Sequence, residues 1–306
     1  MKVQYENKEI TLPDFLLIGA AKSGTTTLFE YLNNHPEVFV PKKKELFYFS
    51  FGNKTPRYTN ANFLSMLTWR TNDYINEFKF VKDKIIGECS TSYLYTAKTT
   101  IENIHNLYGV RAKDLRIIVI LRNPVDRSFS HYTHLVRNGL ENLPFEKAIE
   151  KDNIQARKNE IWGFDYLEYG NYANQLQAFL QIFPLVKVLY FEDLKKPDHM
   201  LEDLKSFLGL NTSFPKTKIK TFNPSGIPKH KRTLRILRNK KLQRFINFLA
   251  PKKLTFYLKA IRDNWTSKTM IRVQMNPETK KKLSAHYSTE IDNLAKLLNR
   301  SLDHWK

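Results

Sequence analysis

Lys22, Ser23, Gly24, Thr25, Thr26 and Thr27 follow closely on the apolar run Phe15 to Ile18, and their types suit the binding of an anion. Lysine supplies a point charge, the hydroxyls supply donors, and glycine lets backbone N–H groups converge on one point. If the threonines open a helix, the positive end of its dipole adds to the same cradle. A phosphate or sulfate group fits such a site. The nucleotide-triphosphatase loop is excluded by residue order, because there the lysine follows the second glycine, whereas Lys22 precedes Gly24. An ordinary strand-to-helix turn with a solvated lysine would use the same residues.

A second set lies about 100 residues on. The run Arg116 to Leu121 ends in Arg122-Asn123-Pro124, with Ser130 beyond it. Pro124 fits the first turn of a helix, where its missing N–H costs nothing. The chain between Arg122 and Ser130 therefore passes from strand end into helix, bringing a guanidinium and a hydroxyl toward one place. The planar fork of arginine donates two parallel hydrogen bonds to a phosphate. Read alone, Arg122 serves equally well as a strand-end ion pair.

The order Lys-Ser-Gly-Thr-Thr-x-Leu at 22–28 resembles the 5′-phosphosulfate loop of sulfotransferases that use 3′-phosphoadenosine 5′-phosphosulfate, and Arg122 with Ser130 resembles their 3′-phosphate motif. His35-Pro36-Glu37-Val38, Gly87 to Tyr93, Phe183-Pro184 before Val186 to Leu194, and the ending Tyr287 to Leu298 with Leu302 and Trp305 carry the likeness over most of residues 12–306. These segments are similar to the carbohydrate branch, which includes the heparan sulfate sulfotransferases and bacterial relatives. The resemblance implies an α/β fold like that of the P-loop NTPases, with three layers and a central parallel sheet flanked by helices. It implies sulfuryl transfer to a hydroxyl or amine of a glycan or glycolipid, releasing adenosine 3′,5′-bisphosphate, with a small-molecule or lipid alcohol as the alternative acceptor. Residues 22 to 27 would hold the phosphosulfate, and Arg122 and Ser130 the 3′-phosphate. Lys231 and Arg232, in Pro228-Lys229-His230-Lys231-Arg232, stand where relatives carry a Lys-Gly-Arg segment over the nucleotide.

Sulfuryl transfer is an in-line displacement that needs a base for the acceptor, positive charge at the leaving oxygen, and alignment of both. In the carbohydrate branch the base is a glutamate opening a Glu-x-x-aromatic-Phe segment, a position that Glu45 fills. A carboxylate there needs partial desolvation to work as a base; the same residue would otherwise be a surface partner for Lys42 to Lys44. Many relatives carry a histidine two residues later, where this chain has Phe47. A lysine commonly follows the glutamate matching Glu88, where this chain has Cys89. Glu88 and Tyr93 are candidates for contact with the acceptor, Glu88 alternatively for orienting Lys22 or capping the next turn. His131 and His134 share a helix face at i, i+3, and His131 is a further acceptor-side candidate. No His, Cys, Asp and Glu cluster has metal spacing, so no metal is expected.

The elements that must position these groups read as alternating strands and helices. Phe15 to Ile18, Lys84 to Gly87, Ile117 to Leu121 and Val186 to Tyr190 predict buried parallel strands. Thr26 to Asn33, Val125 to Asn138 and Asn174 to Ile182 predict helices between them. Such sheets bind ligands at the carboxyl ends of their strands, where both phosphate motifs fall.

The 306 residues read as one domain, 1–306, with a basic loop and helix excursion over 211–270. The net charge is +20, and residues 216–262 hold fifteen Lys or Arg and no Asp or Glu, leaving +5 elsewhere. Such a block favours anionic partners. A basic helix over 232–250 reads either as a solvated face or as contact with an acidic glycan or an anionic membrane surface. Cys89 is the one cysteine, and the N-terminus lacks an apolar signal core. Both predict a cytoplasmic protein, at most peripheral to the inner membrane face, and within the branch a bacterial relative. A P-loop kinase would need the other loop order and an Asp after the strand that ends in Arg122. A nucleic-acid binder would need stacking aromatics beside the charge; no nucleic-acid partner is expected.

Overall fold

In the computed structural model, which describes residues 1–215, 226–228, 270–271 and 273–306, each predicted strand joins one parallel sheet. Strands β3 (Phe15–Gly19), β5 (Ile85–Cys89), β6 (Arg116–Leu121) and β7 (Val186–Tyr190) are completed at one edge by the two-residue β4 (Val38–Phe39), in the order β4-β5-β3-β6-β7. A hairpin of β1 (Lys2–Tyr5) and β2 (Lys8–Thr11) precedes them, turning at Glu6 and Asn7, whose φ of 46° and 60° suit a tight reversal.

The near-continuous apolar runs are explained by burial on both faces. Side chains alternate along a strand, so Phe15, Leu17, Ile118 and Ile120 face one layer while Leu16, Ile18, Ile117, Val119 and Leu121 face the other. The first layer packs against the helices Thr25–Asn33 and Asp198–Leu208 through Leu28, Leu32, Leu201 and Leu204. The second packs against Ala97–Tyr108, Pro124–Arg137, Tyr172–Ile182 and Pro277–Leu298 through Ile104, Val125, Leu176, Phe179 and Tyr287. Three layers result.

Register places the chemistry at one edge. Leu17 lies opposite Cys89, where β5 ends, and Gly19, where β3 ends, lies opposite Val119, so the three central strands finish in steps at the same side of the sheet. The loops holding Lys22, Arg122 and Ser90 leave from that common end. Gly87 lies opposite Phe15, where a Cβ would collide with the phenyl ring; glycine there lets β5 lie close against β3.

Two further motifs act as braces. Glu37 accepts hydrogen bonds from the backbone and side chains of Asn211 and Thr212, at 2.6 to 3.0 Å, and His35 Nε2 donates to the Thr212 carbonyl at 3.0 Å. They tie the chain beyond Asp198–Leu208 to the sheet. At the other end of the sequence, the buried Trp305 donates from its indole to Glu192 and receives the Asn123 amide on its carbonyl at 2.8 Å, buttressing the residue after Arg122. The 216–262 block, including the predicted helix 232–250, falls outside the described residues except for Ile227 and its neighbours, and Ile227–Pro228 pairs with Met270–Ile271. Among the described residues no helix is long and apolar enough to cross a membrane.

Candidate active site

β3 runs into a tight loop that becomes the Thr25–Asn33 helix. Gly24 caps it with φ of 93°, and a Cβ there would collide with Leu194, so glycine is required on two counts. No side chain caps the helix and no acid lies in its first turn, which leaves its N–H groups and dipole for a ligand. Ser23 and Thr25 are buried, and Thr26 and Thr27 are half-buried. Arg122 meets this loop directly: its Nη1 donates to the Lys22 carbonyl at 3.2 Å, and its guanidinium lies over the Phe191 ring at 4.4 Å. The Tyr172 hydroxyl holds the Arg122 carbonyl at 3.0 Å. Ser130, 7% exposed, lies on the following helix. Adjacent parallel strands thus bring the two phosphate motifs together.

The charge around Lys22 is the unusual feature. Burial first, then the charges of Arg137, Lys44 and Arg122, hold its amine at about 7, against a smaller opposing pull from Glu45. Lys22 and the three cations acting on it make this end of the sheet positive, a setting suited to an anion. The sequence reading missed Arg137 and Lys44. Arg137 had a signal, since it follows Ser130 by seven residues on the same helix and so shares its face. Lys44 had none to separate it from Lys42 and Lys43.

Glu45 does pair with a lysine, but inside the site. Lys44 Nζ lies 3.2 Å from Glu45 Oε1, and the same amine reaches the hydroxyls of Thr25 and Thr26 at 3.3 and 3.5 Å. Their side chains are 19% and 23% exposed. The Thr91 N–H donates to Glu45 Oε2 at 2.8 Å, and the Thr91 hydroxyl lies 3.1 Å from the same oxygen. Lys44 therefore joins the anion loop to the carboxylate.

The other candidates lie deeper. Glu88 and Tyr93 are 1% and 0% exposed, under the site rather than in it. Glu88 Oε1 accepts from the Ser90 hydroxyl at 2.5 Å, and burial lifts its carboxyl to about 7. The Tyr93 hydroxyl accepts from the Phe49 N–H at 3.4 Å. His131 is buried with Nδ1 accepting from Arg127 Nη1 at 3.2 Å, between Tyr166 and Tyr169, and burial holds it far below the usual imidazole range. It is a neutral packing partner of Arg127. His134, beside Arg137, is held at about 3 by burial and by the charges of Lys22 and Arg137, so it too stays neutral and is a poor base near neutrality. Lys231 and Arg232 lie outside the described residues.

Beyond Glu45 stands a cluster of rings that the sequence did not announce. Trp162 lies 5.6 Å from Phe47, stacks on Phe51 at 5.3 Å, and meets Phe63 and Tyr58 edge-on at 5.4 and 6.0 Å. Backbone bonds from Thr59 to Asn159 at 2.8 Å and from Asn60 to Glu160 at 3.3 Å fasten the two segments together. Phe47 thus fills with packing the position where relatives carry histidine.

Comparison with known proteins places these observations. The sulfotransferase domain family matches residues 12–297. The crystal structure of a sulfotransferase from Alicyclobacillus acidocaldarius superposes with a TM-score of 0.70 at 27% identity, covering 97% of this chain and 99% of that one. The membrane-associated sulfotransferase kil1 of Dictyostelium discoideum is 32% identical over 130 residues, 42% of this chain and 24% of the relative. Heparan sulfate glucosamine 3-O-sulfotransferase 3B1 of Mus musculus is 26% identical over 202 residues, 65% of this chain and 46% of the relative. The matches thus take in less than half the length of either of these two relatives.

Proposed function

Because the chain belongs to the sulfotransferase domain family, we propose that it moves a sulfuryl group from 3′-phosphoadenosine 5′-phosphosulfate to a hydroxyl, or an amine, of a glycan or glycolipid. The observation that carries this reading is the positive charge gathered at the loop, where Arg122 bonds the Lys22 carbonyl, Lys44 reaches the Thr25 and Thr26 hydroxyls, and both, with Arg137, act on the Lys22 amine. It is the charge that a bisphosphorylated, sulfated nucleotide would neutralise, at an uncapped helix N-terminus. Residues 22 to 27 take the 5′-phosphosulfate, and Arg122 with Ser130 takes the 3′-phosphate.

In the transfer, the acceptor oxygen forms a bond to sulfur while the bond from sulfur to the bridging phosphate oxygen breaks, its electron pair staying on the phosphate. Glu45 takes the acceptor proton. Lys22 and the helix N-terminus face the charge that grows on the leaving phosphate, where preorganised donors act most strongly. Lys44, lying between the threonine hydroxyls and Glu45, is placed to follow that charge and to leave the carboxylate free for the proton.

The ring cluster supports a sugar as the acceptor. The faces of aromatic rings carry negative charge and attract the C–H face of a pyranose, and the half-buried Tyr58, Phe63 and Trp162, packed over the buried Phe47 and Phe51, are the rings with surface to offer. The heparan sulfate relative points to the same class.

The reading is tested by transfer of radiolabelled sulfate from the nucleotide donor to a panel of oligosaccharides, with Glu45→Gln as control. The amide keeps the shape but cannot take a proton, so turnover should fall by roughly 10²–10⁴-fold with nucleotide affinity retained. A Glu45→Gln enzyme of near-native turnover would remove the base assignment. Absence of transfer to any hydroxyl or amine acceptor, with the nucleotide bound, would remove the activity.

A further inference from the structure

Glu88 takes no part in the transfer described above, yet the structure gives its buried carboxyl a specific task. The base stands on constrained backbone. Glu45 and Phe47 both hold left-handed φ, 66° and 68°, where a Cβ crowds the chain and the conformation lasts only if the surroundings over-determine it. The end of β5 does so. The Glu45 N–H donates to the Cys89 carbonyl at 2.9 Å, the Phe47 N–H donates to Ser90 Oγ at 3.0 Å, and the Thr91 N–H holds the Glu45 carboxylate at 2.8 Å.

Of these links, the one through Ser90 depends on a rotor. A serine hydroxyl has one hydrogen and two lone pairs. With a lone pair turned to Phe47, its hydrogen must go elsewhere, and Glu88 Oε1 receives it at 2.5 Å. Ser90 is 0% exposed and Glu88 is 1% exposed, which keeps bulk water from substituting.

We propose that Glu88 is a positioning residue: through Ser90 it locks the Glu45–Phe47 backbone in the conformation that presents the base to the acceptor. The proposal rests on Glu45 being the base. The lock works in both protonation states of Glu88, since a neutral carboxyl keeps a carbonyl oxygen for Ser90. Glutamine keeps that oxygen as well, and alanine does not. The Glu88-Cys89-Ser90-Thr91 segment thereby acquires a reason for its order, with successive residues supplying the anchor for the rotor, a carbonyl, the rotor and the carboxylate donor.

The test compares Glu88→Ala, Glu88→Gln, Ser90→Ala and the Glu88→Ala/Ser90→Ala double variant. Each alanine variant should lose kcat by roughly 10- to 100-fold, the penalty of a base displaced by a fraction of an ångström to one ångström, with the dissociation constant of adenosine 3′,5′-bisphosphate within about twofold of wild type. The double variant should be no worse than the worse single one, because both cut the same link. Glu88→Gln should recover most of what Glu88→Ala loses. Hydrogen exchange at the Phe47 amide provides a readout that does not depend on which residue is the base. It should speed up in Glu88→Ala and Ser90→Ala and stay slow in Glu88→Gln.

Native exchange at Phe47 in Ser90→Ala, additive losses in the double variant, or a loss confined to nucleotide affinity would each overturn the proposal. If Glu88→Ala does not fold, Ser90→Ala decides alone, and native kcat there is also fatal. Should Phe47 exchange change as expected while Glu45→Gln keeps its turnover, the lock stands and the base assignment is what fails.

Discussion

Nucleotide binding should take up a proton, and Lys22 sets the amount. In the unliganded protein its amine is held at about 7 by burial and by Arg137, Lys44 and Arg122. A bound polyanion reverses the balance, because its phosphates stabilise the ammonium that the neighbouring cations oppose. Above pH 7 the free protein is therefore mostly deprotonated at Lys22, and binding must reload it. With the bound amine returned to the ordinary lysine range near 10, the dissociation constant rises by close to tenfold per pH unit, or roughly 20-fold between pH 7.5 and 9. Proton uptake approaches about one per ligand at pH 8.5. The window lies above the second phosphate proton, lost near 6, and above the Glu88 carboxyl at about 7, and burial raises Cys89 and the nearby Tyr169 and Tyr172 above their ordinary values. Isothermal titration with adenosine 3′,5′-bisphosphate in two buffers of different ionisation enthalpy measures the uptake. Lys22→Arg is the control, since a guanidinium stays charged throughout and should give neither the slope nor the buffer-dependent heat. A wild-type dissociation constant that is flat from pH 7.5 to 9, with no proton uptake, would refute the charge frustration assigned to this site.

Arg122→Ala should weaken adenosine 3′,5′-bisphosphate by at least about tenfold more than adenosine 5′-monophosphate, the value of a charge-assisted bond to the 3′-phosphate; equal losses in a binding titration would place Arg122 elsewhere. Gly24→Ala forces a side chain into a φ of 93° against Leu194, and urea unfolding should show a loss of about 1–3 kcal/mol, whereas an unchanged midpoint would mean the loop is not so tightly held. Glu88→Gln should stabilise the protein at alkaline pH: the carboxyl ionises near 4.5 when unfolded and about 7 when folded. The folded state thus holds the extra proton in that window, and wild-type stability falls as pH rises through it, by up to about 3 kcal/mol. The variant's advantage in unfolding free energy should therefore be larger at pH 8 than at pH 5, and an equal difference at both would contradict the buried-acid assignment.

The parts of this molecule legible in the sequence are those written in local pattern. β6 and β7 reach Leu121 and Tyr190 as predicted, and the helix after Arg122 begins at Pro124, because continuous apolar runs and a proline leave few alternatives. Two short features escaped. β4 has two residues, too few for any period, and the β1–β2 hairpin is half polar because only its inner face is covered. Within the site, Lys22 and Arg122 were legible because glycine order and a strand end mark them, and the structure joins them at 3.2 Å. Lys44 was hidden in a lysine triplet, since which member turns inward depends on the left-handed backbone at Glu45, a consequence of contacts with β5. Trp162 carried no local signal at all, as its partners lie about 100 residues earlier.

That contrast follows how the two halves of the site are held. The proposed donor half is backbone work: neighbouring strand ends, a helix N-terminus and one arginine bonded to the loop carbonyl. Such a cradle is set by the sheet itself and leaves a fixed motif in the chain. The proposed acceptor half depends on side chains from distant segments, with Glu45 held by Thr91, Phe47 by Ser90, itself bonded to Glu88, and the ring cluster joined by Trp162. Tyr48 and Phe49 share the core layer of Leu16 and Ile18 on β3, whereas Tyr58 and Trp162 belong to a separate small cluster clear of those strands. On the proposed reading, acceptor choice falls to side chains gathered from distant segments. The chain matches its family over residues 12–297, and on the proposed reading Phe47 and Trp162 belong to the half of the site that would meet the acceptor.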